Sequence, residues 1–177
     1  MKVFSPAELD TVLLGVKDIL TQAEPKCDVK MYLPNGLALF QAKEERARER
    51  TAEAGETALS EAAAEEGALR TDSGLVFLQK TAGEGPMATE EDTVKCHYEG
   101  RLLDGSVFDS SYKRGEPLEF PVNGVIKGWV EALQMMNAGS KAKLTIPSEL
   151  AYGDAGTGPI PGKATLIFDI ELLAINP

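Results

Sequence analysis

The chain has 177 residues, enough for one well-packed core or for one core with an appended segment. Its 28 acidic residues outnumber 18 basic ones for a formal charge of −10, which disfavours a phosphate-backbone ligand, so no nucleic acid partner is expected. One histidine and two cysteines cannot make a Cys/His zinc site, and neither metal nor cofactor is expected.

No apolar run approaches about 18 residues, and the N-terminal MKVFSPAELD lacks an apolar signal core, so neither a membrane span nor an export signal is expected. The location expected is cytoplasmic if the chain is full length, and periplasmic or secreted if a signal peptide has been removed. Cys27 and Cys96 lie far apart in sequence, which points to a reducing compartment rather than a structural disulfide.

Residues 4–22 carry dense helix-start signals. Ser5 and Glu8 have capping-box spacing, Pro6 falls at the first helical position, and Phe4 with Leu9 fits a hydrophobic staple. Leu9, Val12, Leu13, Val16, Ile19 and Leu20 then form an apolar stripe at helical spacing. A short second element is expected from the N-cap Asp28 until Pro34-Asn35-Gly36 kinks or ends it. From Leu37 to Glu66 the Ala-, Glu- and Arg-rich composition predicts a long solvated helix stopped by Gly67, despite an interior Gly55 that costs about 1 kcal/mol relative to alanine. Residues 1–70 hold too little apolar surface for a core of their own, so pairing with a second copy through the first helix is the economical solution. Folding back on its own chain is the alternative.

From residue 71 the signal becomes β. Strands are predicted over residues 75–80, 93–103, 118–122, 141–147 and 165–175, with Val94, Cys96 and Tyr98 alternating against Lys95, His97 and Glu99. Gly83-Glu84-Gly85-Pro86, Asp104-Gly105 and Ala138-Gly139-Ser140 supply turns. Between strands, Val125, Ile126, Trp129, Val130 and Leu133 recur at helical steps, with Gly128 letting the backbone turn into a short helix. The class is therefore α+β: an antiparallel sheet with one short helix on a face, preceded by an all-α segment.

Trp129, the chain's one tryptophan, is either ordinary core or the floor of a pocket. Tyr98, Phe108, Phe120, Tyr152 and Phe168 are more aromatics than one small helix needs, and with a few polar groups they would line such a pocket. Asp109 follows Phe108 in a segment where alternation turns one of the two toward it; the plain alternative is a turn aspartate capping Ser110 or Ser111. Residues 153–158 (GDAGTG) lack the lysine of a phosphate loop and read as a flexible loop. His97 sits in strand alternation and reads as a structural or surface residue.

Several ordered motifs between Ser73 and Ile175 resemble the FKBP family of peptidyl-prolyl cis-trans isomerases. They are His97-Tyr98-Glu99-Gly100, Asp104-Gly105, Phe108-Asp109-Ser110-Ser111, Val125-Ile126-Lys127-Gly128-Trp129, Ala151-Tyr152-Gly153 and the run Ala164 to Leu172. Phe4 to Leu9, Gly15 with Asp18, Tyr32-Leu33-Pro34 and Gly67-Ala68 are similar to the Mip-like (macrophage infectivity potentiator-like) branch. The resemblance implies a twisted half-barrel wrapped around a short helix over residues 71–177, and a homodimerising helical segment over residues 1–70. It implies catalytic roles for Asp109, Tyr152, the Ile126 N–H and Phe108, and substrate contacts from Tyr98, Arg114, Leu118, Val125, Trp129, Ile160 and Phe168. It also implies proline-containing peptides and unfolded proteins as clients, and macrolide immunosuppressants as ligands. Leu118 stands where many members carry a second aromatic, and the loop between Tyr152 and Phe168 is one residue shorter than usual. The rival expectation is a noncatalytic proline-peptide-binding or chaperone module.

Overall fold

The computed structural model of the chain describes residues 5–7, 10, 13, 21 and 29–177. Most of the helix expected over residues 4–22, and Cys27, lie outside the described residues. Two compact units divide the chain, Met1–Glu49 and Arg50–Pro177.

Helix α1 runs over Val29–Ala63. Its backbone stays helical through Pro34-Asn35-Gly36, so the helix does not end there as one of the two expectations had it. Pro34 lies early in the helix, where its missing N–H forfeits little of a long ladder, and the Ala- and Glu-rich stretch beyond it has high helix propensity. The second compact unit begins inside α1 at Arg50. The reason is packing: Leu59, 1% exposed, and Ala62 form a small core with Val76 on the sheet. Gly55 is buried for the same reason, since a Cβ there would overlap the Thr165 side chain.

Seven antiparallel strands follow: β1 Ala68–Arg70, β2 Val76–Thr81, β3 Thr93–Arg101, β4 Val107–Ser110, β5 Leu118–Pro121, β6 Lys141–Ile146 and β7 Leu166–Ile175. They are ordered β1-β2-β6-β7-β3-β4, with β5 also paired to β3. Strand β3 is the hub, bonded to β4, β5 and β7. The five strands predicted from alternation are present; β1 and β4 are additional, too short for a periodic signal to declare them. On β3, Val94, Cys96 and Tyr98 point into the core while the residues between them are half-exposed. On β2, Val76 faces α1 while Phe77 faces the main core, so this strand reads as a continuous apolar run.

The main core lies between the sheet and helix α3, Lys127–Leu133, whose Gly128, Trp129, Ala132 and Leu133 are buried. Gly128 serves close approach rather than the turn expected of it, because a Cβ there would overlap Ile146 of β6. A shorter helix, α2 Ser111–Arg114, follows β4 directly and is capped by Ser110, whose side chain accepts from the Lys113 N–H. The segment Gly153 to Gly158, expected as a loop, is a set of hydrogen-bonded turns. Thr157 and Ile160 exchange backbone bonds of 2.9 and 2.8 Å, and the Gly153 N–H donates to Ser148 O at 2.8 Å.

Candidate active site

A cavity of about 470 Å³ opens between α3, β4, β5, β7 and the segment carrying Tyr152. Trp129, 5% exposed, is its floor. Three rings pack on the indole: Tyr98 edge-on at 5.1 Å between centroids, Phe168 edge-on at 5.2 Å, and Phe120 tilted at 5.5 Å. Phe108 meets Phe168 edge-on at 5.5 Å. These geometries put ring edges against ring faces, the arrangement that aromatic quadrupoles favour. Gly100 makes room for that last pair, since a Cβ on it would lie 2.6 Å from both rings.

Each ring arrives on a different element, which is why no local sequence window shows the set. Tyr98 comes from the inward face of β3, Phe168 from β7, Phe108 from β4, Phe120 from β5 and Trp129 from the first turn of α3. Leu118, two residues before Phe120 and therefore on the same face of β5, forms an exposed apolar lip. Val125 and Ile126 complete the wall at the start of α3.

The polar edge is a three-residue network. The Tyr98 hydroxyl donates to Asp109 Oδ2 at 2.6 Å, Arg114 Nη2 donates to the Tyr98 oxygen at 2.7 Å, and Arg114 Nη1 pairs with Asp109 Oδ1. The guanidinium also lies 5.4 Å from the centre of the Tyr98 ring. Burial pushes the Asp109 carboxyl up, but hydrogen bonds from Tyr98 and Arg114 and the guanidinium charge together outweigh it and hold the group below its ordinary value. The Tyr98 phenol moves the other way, raised by burial and by its bond to Asp109. Asp109 is thus a fixed anion in the wall, and the capping role considered for it falls instead to Ser110.

Two further polar groups belong to lining residues and are unspent. Tyr152, 38% exposed, lines the rim, and its hydroxyl makes no hydrogen bond among the described residues. Ile126 precedes α3 with extended backbone; its carbonyl accepts from Trp129 and Val130, while its own N–H has no partner among the described residues.

Of the residues expected at the site, Asp109, Tyr152, Ile126, Phe108, Tyr98, Leu118, Val125, Trp129 and Phe168 all line this one cavity. Arg114 does not line it but acts from behind, through Asp109 and Tyr98. Ile160 is buried in the core and is not part of the lining. Phe120, one of the aromatics expected to line a pocket, does so, and Gly124 lines it without having been expected there. His97 lies outside, stacked on Tyr112 at 4.6 Å with Nδ1 2.9 Å from Ser111 Oγ. Cys96 is buried beneath the sheet, where burial pushes its thiol up to about 12, so it is no nucleophile. Among the described residues no cluster of acidic, histidine or cysteine side chains is arranged to hold a metal, and no helix is long and apolar enough to cross a membrane.

Residues 85–173 match the family described as FKBP-type peptidyl-prolyl cis-trans isomerase. The chain belongs to that FKBP family. Residues 2–78 match the domain found amino-terminal to such isomerases, in agreement with the Mip-like arrangement. Among relatives, the chain is 57% identical over 118 residues to the FKBP-type 22 kDa peptidyl-prolyl cis-trans isomerase of Escherichia coli K12, covering 66% of this chain and 57% of that protein. It is 43% identical over 163 residues to the FKBP-type isomerase FkpA of Aeromonas hydrophila, covering 92% of this chain and 61% of the relative. The crystal structure of FkpA from Escherichia coli superposes with a TM-score of 0.80 at 38% identity, covering 95% of this chain and 82% of that one. The chain thus spans 57 to 61% of the length of these curated relatives. Phe120 reaches the tryptophan floor from the same strand as Leu118.

Proposed function

We propose that the chain is a peptidyl-prolyl cis-trans isomerase acting on proline-containing peptides and unfolded protein clients. The observation that carries this is the cavity itself: an aromatic box floored by Trp129 with unspent donors at its rim and a paired carboxylate in its wall. Rotation about an X-Pro bond faces a barrier of about 18–20 kcal/mol that comes from amide resonance, so no covalent step is needed to lower it. A twisted amide has lost that resonance: its carbonyl oxygen carries less negative charge and needs less solvation, while its nitrogen becomes pyramidal and a better hydrogen-bond acceptor. A dry pocket that holds the proline ring and strips water from the rotating bond therefore binds the twisted form better than the planar one.

In this reading Trp129, Phe168, Phe120, Phe108 and Val125 take the proline ring, and Leu118 contacts the residue before it. The Ile126 N–H and the Tyr152 hydroxyl bind the flanking carbonyls. The Asp109 carboxylate faces the carbonyl carbon side of the bond as a fixed charge, held in place by Arg114 and Tyr98. A gain of 10⁴ in rate needs roughly 5.5 kcal/mol of such differential binding, within reach of two directed hydrogen bonds and one fixed charge. Macrolide FKBP ligands would compete for the same aromatic floor. The N-terminal match supports a homodimer through residues 1–70.

The test is isomerisation of a short X-Pro peptide with and without a macrolide ligand. Acceleration that the ligand abolishes is the expected result. Saturable ligand binding without acceleration would favour the noncatalytic peptide-binding reading instead.

A further inference from the structure

Strand β3 changes partner along one edge. Thr93 to Cys96 pair with β5 and Glu99 to Arg101 with β4, so His97 and Tyr98 meet no strand there. Helix α2 packs against β3 instead, and its first residue, Ser111, is fully buried. The Tyr98 N–H donates to Ser111 Oγ at 2.7 Å, and the hydroxyl donates to the Tyr98 carbonyl at 3.2 Å. One serine side chain thus serves both backbone groups of Tyr98, in the place of a ladder rung.

A hydroxyl has one proton, and this fixes the remaining contact. With that proton on the Tyr98 carbonyl, Ser111 Oγ can only accept from His97 Nδ1, 2.9 Å away. The neutral His97 ring therefore carries its proton on Nδ1, and its stack on Tyr112, the next residue of α2, holds it in that orientation. The hydroxyl is then fully used, with two bonds accepted and one donated.

Two short routes lead from Ser111 to the prolyl cavity, which it does not itself line. Ser111 fixes the backbone of Tyr98, whose ring packs on Trp129 and whose hydroxyl bonds Asp109. It also fixes the start of α2, whose last residue is Arg114. Gly115, with φ of 81° and its N–H on the Ser111 and Tyr112 carbonyls, closes that single turn and ties Arg114 to Ser111. Both partners that hold the Asp109 carboxylate thus hang from one buried hydroxyl. On the isomerase reading above, we propose that Ser111 is a positioning residue for the reaction, setting the place of Asp109 through Tyr98 and Arg114.

The experiment uses the full chain. In the wild type, a long-range ¹H–¹⁵N correlation of the neutral histidine ring should show the Nδ1–H tautomer; the Nε2–H tautomer would put the Ser111 proton on His97 and overturn the clamp. Ser111→Ala should lower kcat for a short X-Pro peptide by about tenfold with KM changed by less than about twofold, because the aromatic floor stays. In an Asp109→Leu background the same substitution should change kcat by less than about twofold; an equal loss in both backgrounds would make Ser111 merely structural. Ser111→Cys, nearly isosteric but a much weaker donor, takes the place of Ser111→Ala if that variant unfolds. The side-chain ¹³C titration of Asp109 needs no turnover. Its midpoint should rise toward the ordinary 3.8 in Ser111→Ala as Tyr98 and Arg114 loosen their hold, and an unmoved midpoint would overturn the proposal. A wild-type chain that fails to accelerate isomerisation would count against the isomerase reading, while this titration still decides whether Ser111 places Asp109.

Discussion

The Tyr98 hydroxyl donates a 2.6 Å hydrogen bond to Asp109, joining a ring of the cavity wall to the carboxylate at its edge across two adjacent strands. Arg114, reaching back from α2, closes the triangle on both groups. Substituting Asp109 therefore removes a charge from the cavity without opening the core. Asp109→Leu should lower kcat/KM for an X-Pro peptide by roughly ten- to a hundredfold while the melting temperature stays within a few degrees. Unchanged turnover would remove Asp109 from the site.

The acid side of the stability curve reports the same triangle. The folded Asp109 carboxyl sits below its ordinary value of 3.8, so the stability it contributes is present above that value and is lost as the pH falls through the lower folded one. Asp109→Asn does not titrate. The stability difference between wild type and Asp109→Asn, followed by urea unfolding, should be constant at neutral pH and narrow once the pH drops below 3.8. Partial exposure of the pair keeps this difference small.

Trp129 is both floor and core, touching Tyr98, Phe120 and Phe168. Trp129→Ala should cost about 3–5 kcal/mol in denaturant unfolding followed by circular dichroism, together with loss of macrolide binding. Trp129→Leu keeps most of the apolar volume and should recover a large part of the stability but little of the binding.

Gly55 opposes helix propensity to tertiary packing. Propensity alone predicts that Gly55→Ala stabilises by about 1 kcal/mol. The Thr165 side chain occupies the space of the new methyl, so Gly55→Ala should instead destabilise by about 1–3 kcal/mol. Gly55→Ala combined with Thr165→Ala should be less destabilised than the two single effects added, as a thermodynamic cycle would read.

A chain beginning at Arg50 keeps Leu59 and Ala62 on Val76; one beginning at Thr71 loses both, along with β1. The longer fragment should be more stable by about 2–4 kcal/mol in urea. Equal stability would mean that the end of α1 contributes nothing to the sheet unit.

What the sequence alone determined was carried by local periodicity and local motifs. Alternation placed β2, β3, β5, β6 and β7, helical spacing placed α3 with Trp129 facing inward, and ordered motifs identified the family and nearly all of the cavity lining. The tertiary structure decided the features that depend on residues distant in sequence. It ran α1 through Pro34 and docked its last turns on Val76, moved Arg114 from the lining to a support behind Asp109, and withdrew Ile160 into the core. It also revealed why Gly55, Gly100 and Gly128 carry no side chain. Each of these turns on which atoms from another element occupy a given space, and a one-dimensional pattern records the period of an element but not the surface it will meet.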